Sequence, residues 1–265
     1  MTRLGVRKTY KLFIDGAFPR SESGRTYEAE GQNVARASRK DVRDAVRAAR
    51  GAQEKWGGMT AYNRGQVLYR VAEMMEARRV ELAEFCTGEA EVDRSIDRVV
   101  WYAGWADKLA QALGSSNPVA GPYFNFTLPE PTGVVAVIAP GRPPLEGLVS
   151  RLAPVLVGGN AVVAVASEER PLAAIELAEA IATSDVPGGV VNVLTGYRRE
   201  LAPVLAAHMD VNALDLGGAD GDAPELERLA AENVKRVVHG RADVQSPWEV
   251  ARFLELKTVW HPIGR

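Results

Sequence analysis

A chain of 265 residues holds one large domain or two smaller ones. Its 46% apolar and 25% charged residues are an ordinary soluble globular composition, and a net charge of -2 with no basic block argues against nucleic acid as a partner. Acidic, Pro and Gly residues interrupt every apolar run that might span a bilayer, the start "MTRLGVRKTYKLF" has no signal-peptide core, and the single cysteine, Cys86, excludes an intramolecular disulfide framework, so a cytoplasmic protein is expected.

"YKLFIDGAFPR" reads as a short hairpin turning at Asp15-Gly16. "SRKDVRDAVRAARGAQEKW" carries Val42, Ala45, Val46, Ala49 and Ala52 at helical spacing, with Ser38 and Asp41 placed as a capping box. A second helix is expected over about Asn63 to Cys86, and a third over about Asp93 to Leu113. Met74, Met75, Trp101, Tyr102 and Trp105 on these helices read as packing core rather than as a binding surface.

The second half changes rhythm. Strands are predicted at Val134 to Ala139, Ala161 to Ala166, Val190 to Leu194 and Val211 to Leu216. Helices are predicted between them, at Leu145 to Leu156, Leu172 to Thr183 and Glu200 to Ala207. Nearly continuous apolar strands alternating with helices predict an α/β fold with a doubly wound, Rossmann-like parallel sheet. Ligands of such sheets bind at the carboxyl ends of the strands. That directs attention to "VVAVIAPGRPPLEGLV", residues 134 to 149, where a strand ends in a proline-rich turn around Arg142.

"KLFIDGAF", "DVRDAVRAARGAQEKW", "RGQVLYRVAEMMEARRVELAEF", "YAGWADK", "YFNFTLPEPTGVVAVIAP", "LAPVLVGGNAVV", "VPGGVVNVLTG" and "HMDVNALDLGG" follow one another, and "FLELKTVWHPIG" comes last. In this order the segments resemble the aldehyde dehydrogenase superfamily over almost the whole chain. The resemblance implies a coenzyme-binding domain over residues 1–119 and 134–245, and strands of a small antiparallel oligomerisation sheet at 120–133 and 247–265. It also exposes a gap. After residue 238 the chain passes almost directly to the terminal strand, where family members carry a catalytic domain with the nucleophilic cysteine and the general-base glutamate. The chain is about half the family's usual length.

The residues that remain depart from the family's pattern. Cys86 does not replace the missing nucleophile: a reactive thiol needs positive charge or a helix N-terminus, and Glu84, Glu89 and Glu91 surround it in sequence. His208, His239 and His261 show no metal-ligand spacing. By resemblance, Arg142 stands where the family has the asparagine of its oxyanion site, and Gly141 where it has tryptophan. Arg142 is read either as solvated or as paired with a carboxylate of this chain or of a partner. No catalytic residue is therefore assigned. Ala139, Pro140, Glu168 and Gly218 remain as vestigial coenzyme-binding positions. Val165 and Ala166 replace a lysine and a proline, and without the lysine a ribose diol on Glu168 loses a charge-assisted hydrogen bond, about 1.5–3 kcal/mol. Ala219 removes a hydroxyl near the diphosphate. Asp222 and Glu225 are spaced as a capping box, so with Asp220 they are expected to occupy a helix N-terminus that would otherwise take an anion. NAD(P) binding is expected to be weak or absent.

The strands implied by the resemblance are intact. Tyr123, Phe124, Phe126, Phe253, Leu254, Leu256, Val259 and Trp260 are the expected oligomerisation residues, on two segments that should pair with each other. In the family such a sheet adds onto the catalytic-domain sheet of a neighbouring subunit, and a second copy of this chain has no such sheet to offer. The favoured expectation is a non-catalytic companion subunit of a full-length aldehyde dehydrogenase, in a hetero-oligomer formed by strand addition. The alternatives are a half-subunit of an NAD(P)-dependent aldehyde oxidoreductase whose partner supplies cysteine and glutamate, and an isolated nucleotide sensor, which the missing phosphate ligands disfavour. The uninterrupted hydrophobic patterns argue against a decayed remnant.

Overall fold

The computed structural model describes residues 8–264. Three short strands come first, β1 (Thr9–Tyr10), β2 (Thr26–Ala29) and β3 (Gln32–Ala35), forming a sheet in the order β1-β3-β2. The Asp15-Gly16 turn forms as read: both residues have positive φ, 55° and 74°, which suits a two-residue turn. Ile14 and Ala17 bridge across it, while Phe13 bridges to Val193.

The helices follow. α1 (Arg39–Gly58) opens with its capping box, the Ser38 N–H donating to Asp41 Oδ2 at 2.7 Å and the Asp41 N–H to Ser38 Oγ at 3.4 Å. The long second helix is in fact two, α2 (Ala61–Ala77) and α3 (Arg79–Glu84). Arg78 leaves helical geometry between them, and its guanidinium pairs with Glu176 at 2.6 Å. The third begins earlier and ends sooner than expected, as α4 (Glu89–Ala103), with α5 (Leu109–Leu113) after a tight turn. Gly104, a poor helix former, closes α4. Met75 and Tyr102 are fully buried, and Met74, Trp101 and Trp105 pack against the same core, as expected of packing residues.

The remaining elements are β4 (Ser115–Asn117), β5 (Tyr123–Pro131), β6 (Val134–Ile138), α6 (Pro144–Val157), β7 (Ala161–Val165), α7 (Leu172–Ala182), β8 (Val191–Leu194), α8 (Arg198–Ala207), β9 (Ala213–Asp215), α9 (Ala223–Ala230), β10 (Arg236–Val238), α10 (Pro247–Ala251) and β11 (Leu254–Pro262). Five of them make a parallel sheet in the order β10-β9-β6-β7-β8. Every residue of β6, β7, β8 and β9 is buried, because helices cover both faces. The two-residue period sorts the central strand. Val134, Ala136 and Ile138 pack with Val42, Leu201 and Leu226 from α1, α8 and α9. Val135 and Val137 pack on the other face, with α2, α4, α6 and α7. β10 is not foreseen in the sequence; its three residues are too short a run to show a period.

A third sheet is antiparallel, in the order β11-β5-β4, with Leu254 opposite Pro131 and the register running on to Pro262 opposite Tyr123. The two expected segments do pair with each other. β4 joins them although it precedes residue 120. Phe253 and Leu254 belong to the α/β core.

Candidate functional site: the crevice at the sheet's switch point

The strand order reverses at β6, where the chain crosses to β7 on one side and β9 lies on the other. A crevice opens there, outside the carboxyl ends of the strands. Its volume is about 730 Å³, and Pro140, Arg142, Glu168, Arg198, Gly218 and Asp220 are among its lining residues. The crossovers after β6 and β9 touch: the Gly218 N–H donates to the Ile138 carbonyl at 2.9 Å, and a Cβ on Gly218 would stand 2.0 Å from the Ala139 carbonyl oxygen. Only glycine fits there. Ala139, Pro140 and Gly218 thus meet at one point, and Ala219 is fully buried beside them.

Arg142 sits in this turn, before a cis bond to Pro143. Its side chain is 72% exposed, and its guanidinium lies 3.9 Å from Glu169. Both sequence readings are met in part: the group is solvated and loosely paired with a carboxylate of its own chain. Glu168 is exposed, and one of its oxygens accepts the Arg198 backbone N–H at 3.1 Å. Val165 and Ala166 are buried and offer no polar group.

The expected capping box at Asp222 and Glu225 does not form. Asp222 makes no side-chain bond to the first turn of α9. A tight turn over Asp220–Asp222 carries its carboxylates to Arg198 instead, at 2.9 Å from Asp220 and 3.3 Å from Asp222. Glu225 pairs with Arg228 at 2.8 Å. A nearby guanidinium competes better for these carboxylates than backbone N–H groups do. Arg198 also donates to the Gly218 carbonyl. The sequence reading missed Arg198, which gathers this side of the crevice although 20 residues or more separate it from its partners.

Two further features were not legible. Glu91, buried on α4, accepts the Leu145 and Glu146 N–H groups at 2.8 and 3.1 Å, so it caps α6, the helix that the Arg142 turn leads into. Burial opposes its ionisation, but these bonds and two from Thr87 outweigh that and hold its pKa below the usual carboxylate value. The end of α6 that faces the turn is therefore already held by a negative charge.

The second feature is the passage from β10 to α10. Gly240 to Asp243 run along the crevice, and three buried donors hold the passage. Arg98 donates to the Ala242 carbonyl, Tyr102 to the Ser246 carbonyl at 3.5 Å, and Arg151 to the Arg241 carbonyl at 3.3 Å. Arg151 is fully buried between Asp215, at 2.7 Å, and Glu249, at 2.9 Å. Burial disfavours its charge, but the two carboxylates more than offset this and keep it protonated. A Cβ on Gly240 would stand 2.1 Å from Arg151 Cζ, so the backbone lies flat on the guanidinium.

Cys86 is half-buried. Burial first, then Glu91, push its thiol up to about 12. Glu84 and Glu89, named from the sequence, are not among the causes. His208, His239 and His261 lie on separate parts of the fold, His239 against Glu227 at 2.6 Å and His261 on β11. Of the expected oligomerisation residues, Tyr123, Phe124, Leu256 and Trp260 are exposed, Phe126 and Val259 are half-buried, and Phe253 and Leu254 are buried in the core. Among the described residues, no helix is long and apolar enough to cross a membrane.

The crevice lies where a dinucleotide would, but its residues do not fit one well. The ribose position offers Glu168, already engaged by a backbone N–H, beside Val165. The diphosphate position offers Asp220 and Asp222, whose charges would face the phosphates, and the cation beside them, Arg198, is bound to both.

Comparison with known proteins agrees with this geometry. The pattern of the aldehyde dehydrogenase family matches residues 25–250. The chain is 33% identical over 258 residues to cytosolic aldehyde dehydrogenase 1 of Elephantulus edwardii, covering 89% of this chain and 51% of that protein. To retinal dehydrogenase 2 of Mus musculus it is 34% identical over 251 residues, covering 87% and 48%. The solved NAD+ complex of an aldehyde dehydrogenase from Bacillus cereus superposes with a TM-score of 0.80 at 28% identity, over 87% of this chain and 50% of that one. HpcC from Thermus thermophilus gives 0.82 at 31%, over 87% and 47%. The chain spans about half the length of the relatives it matches. A reversed parallel sheet with its crevice, a projecting antiparallel sheet and these similarities have one common account: the chain belongs to the aldehyde dehydrogenase family.

Proposed function

We propose that this chain is a non-catalytic companion subunit of a complete aldehyde dehydrogenase, held to it by strand addition at the small sheet. One observation carries the reading. Between β10 and β11 the chain runs through a short passage pinned by Arg98, Tyr102 and Arg151, while among the described residues one edge of β11 has no partner strand. In complete family members the catalytic domain lies in that interval, and its sheet receives the neighbour's strand. A chain that keeps the strand and lacks the domain offers an edge without a receptor of that kind. Unpaired strand edges invite association. The Glu91 cap and the Arg198–Asp220–Asp222 cluster support the non-catalytic part, since neither an oxyanion nor a coenzyme diphosphate meets a favourable field. Coenzyme binding on this reading is weak.

The test is co-expression of the tagged chain with complete aldehyde dehydrogenases of its source organism. A stable complex with one of them is expected, and Leu256→Pro should weaken it by removing a backbone donor from the edge. Failure to capture any complete enzyme overturns the reading. If a captured partner is inactive alone and oxidises aldehydes only with this chain, the half-subunit alternative replaces it.

A further inference from the structure

The open edge of β11 has a second property, one that needs no catalytic-domain sheet. In an antiparallel ladder, residues alternate between pointing their N–H and C=O groups at the partner strand and pointing them away. The Thr132 N–H donates to the Phe253 carbonyl at one end, and the Ile263 N–H donates to the Pro122 carbonyl at the other. Odd-numbered residues of β11 therefore bond to β5. Pro129 and Pro131 fit this phase, because they stand opposite Leu256 and Leu254, where β5 directs no N–H at β11. The even-numbered residues point outward. Arg236 takes the Leu254 carbonyl, which leaves the outward backbone groups of Leu256, Thr258 and Trp260 without a partner strand among the described residues.

From this we infer that β11 pairs with β11 of a second copy, antiparallel about a two-fold axis at Thr258, joining two three-stranded sheets into one of six strands. The sequence around Thr258 complements itself under that rotation. Thr258 meets Thr258 of the second copy. Leu256 meets Trp260, two exposed apolar side chains, 62% and 58% accessible in the single chain. Glu255, already paired with Arg236 at 2.8 Å, meets His261, whose ring N–H can donate to its second carboxylate oxygen. Lys257, already paired with Glu130 at 3.0 Å, meets the apolar Val259. The three central pairs all have outward backbone groups, so the junction makes about six ladder hydrogen bonds. Trp260 stacks edge-on with Tyr123 at 5.8 Å, which would continue the joined apolar stripe onto β5 in both copies.

Neighbouring registers are worse. An axis at Lys257 sets Lys257 against itself. An axis at Val259 sets Leu256 against Pro262, which has no N–H. Like charges opposite one another destabilise a sheet. Because self-pairing and addition to another protein's sheet would use the same edge, the two states exclude each other.

The test uses the chain alone, so its failure is distinct from failure of the companion-subunit reading, which needs a second protein. Sedimentation equilibrium should find a dimer. Thr258→Pro removes an outward N–H and leaves the β5–β11 ladder intact, so it should raise the dimer dissociation constant about tenfold or more. Thr258→Lys sets two charges on the axis and should also give monomers. Far-UV circular dichroism checks that both variants are folded, and if the proline variant is not, the lysine variant decides. A wild-type chain that stays monomeric overturns the inference, and so does a dimer that survives the folded Thr258 variants.

Discussion

Glu91 changes how the turn after β6 is understood more than Arg142 does. Arg142 drew attention in the sequence as a charged residue among glycine and prolines, yet its side chain lies mostly in solvent. Glu91, 54 residues from the N–H it caps, carried no local signal, because a cap supplied by another helix leaves no spacing to read. Its pKa lies below the ordinary carboxylate value, so the charged form favours the folded state. That contribution is complete above the carboxyl's unfolded pKa, about 4.3, and is lost as pH falls through the lower folded value. Glu91→Ala should cost about 1–3 kcal/mol at neutral pH, with the gap to the parent narrowing in acid. Urea unfolding at a series of pH values measures it; a gap that stays constant into acid would show that the charge is immaterial.

At the scale of elements, periodicity found four of the five parallel strands and the helices between them to within a residue or two. Burial on both faces makes such strands conspicuous. It missed β10, and it merged helices where Arg78 and Gly104 interrupt them. It also placed a capping box at Asp222 that Arg198 undoes from across the crevice. Spacing specifies what a segment can do locally, and a cation from a distant element can override it. The passage from β10 to α10 is a similar case, since its anchors come from α4 and α6. Arg151 is its keystone. Arg151→Met would leave Asp215 buried without its cation and Glu249 with only Arg252, at 3.1 Å, a loss of about 3–5 kcal/mol. We expect the unfolding midpoint in denaturant to fall accordingly, and near-UV circular dichroism to report loosening around the buried Tyr102. A variant as stable as the parent would mean that the passage is held by its backbone bonds alone.

For the whole molecule, the resemblance gave the family and the architecture, while the crevice needed three dimensions. At Val165 and Ala219 the resemblance implies polar groups that the sequence lacks. The engagement of Glu168 by the start of α8, and of Arg198 by two aspartates, could not be read from it. These contacts lead us to expect that the isolated chain binds NAD or NADP no tighter than roughly millimolar, about -4 kcal/mol. Titration calorimetry on the purified chain checks this, and low-micromolar binding would reverse our account of the crevice.

The root of the small sheet has a mechanical meaning. Between the end of β5 at Pro131 and the start of β6 at Val134 lie only Thr132 and Gly133, and neither is loose. The Thr132 N–H is bonded to Phe253, the Gly133 N–H to Asn160 at 2.8 Å, and the Val134 N–H to Asn212 at 2.9 Å. Asn160 also donates to the Phe253 carbonyl at 3.0 Å. The spur is tied to the body by these bonds at its base. It continues directly into the middle strand of the parallel sheet, whose far end carries the Pro140 turn. Whatever grips the spur therefore takes hold of a chain that runs, through three anchored residues, into the central strand and on to the rim of the crevice.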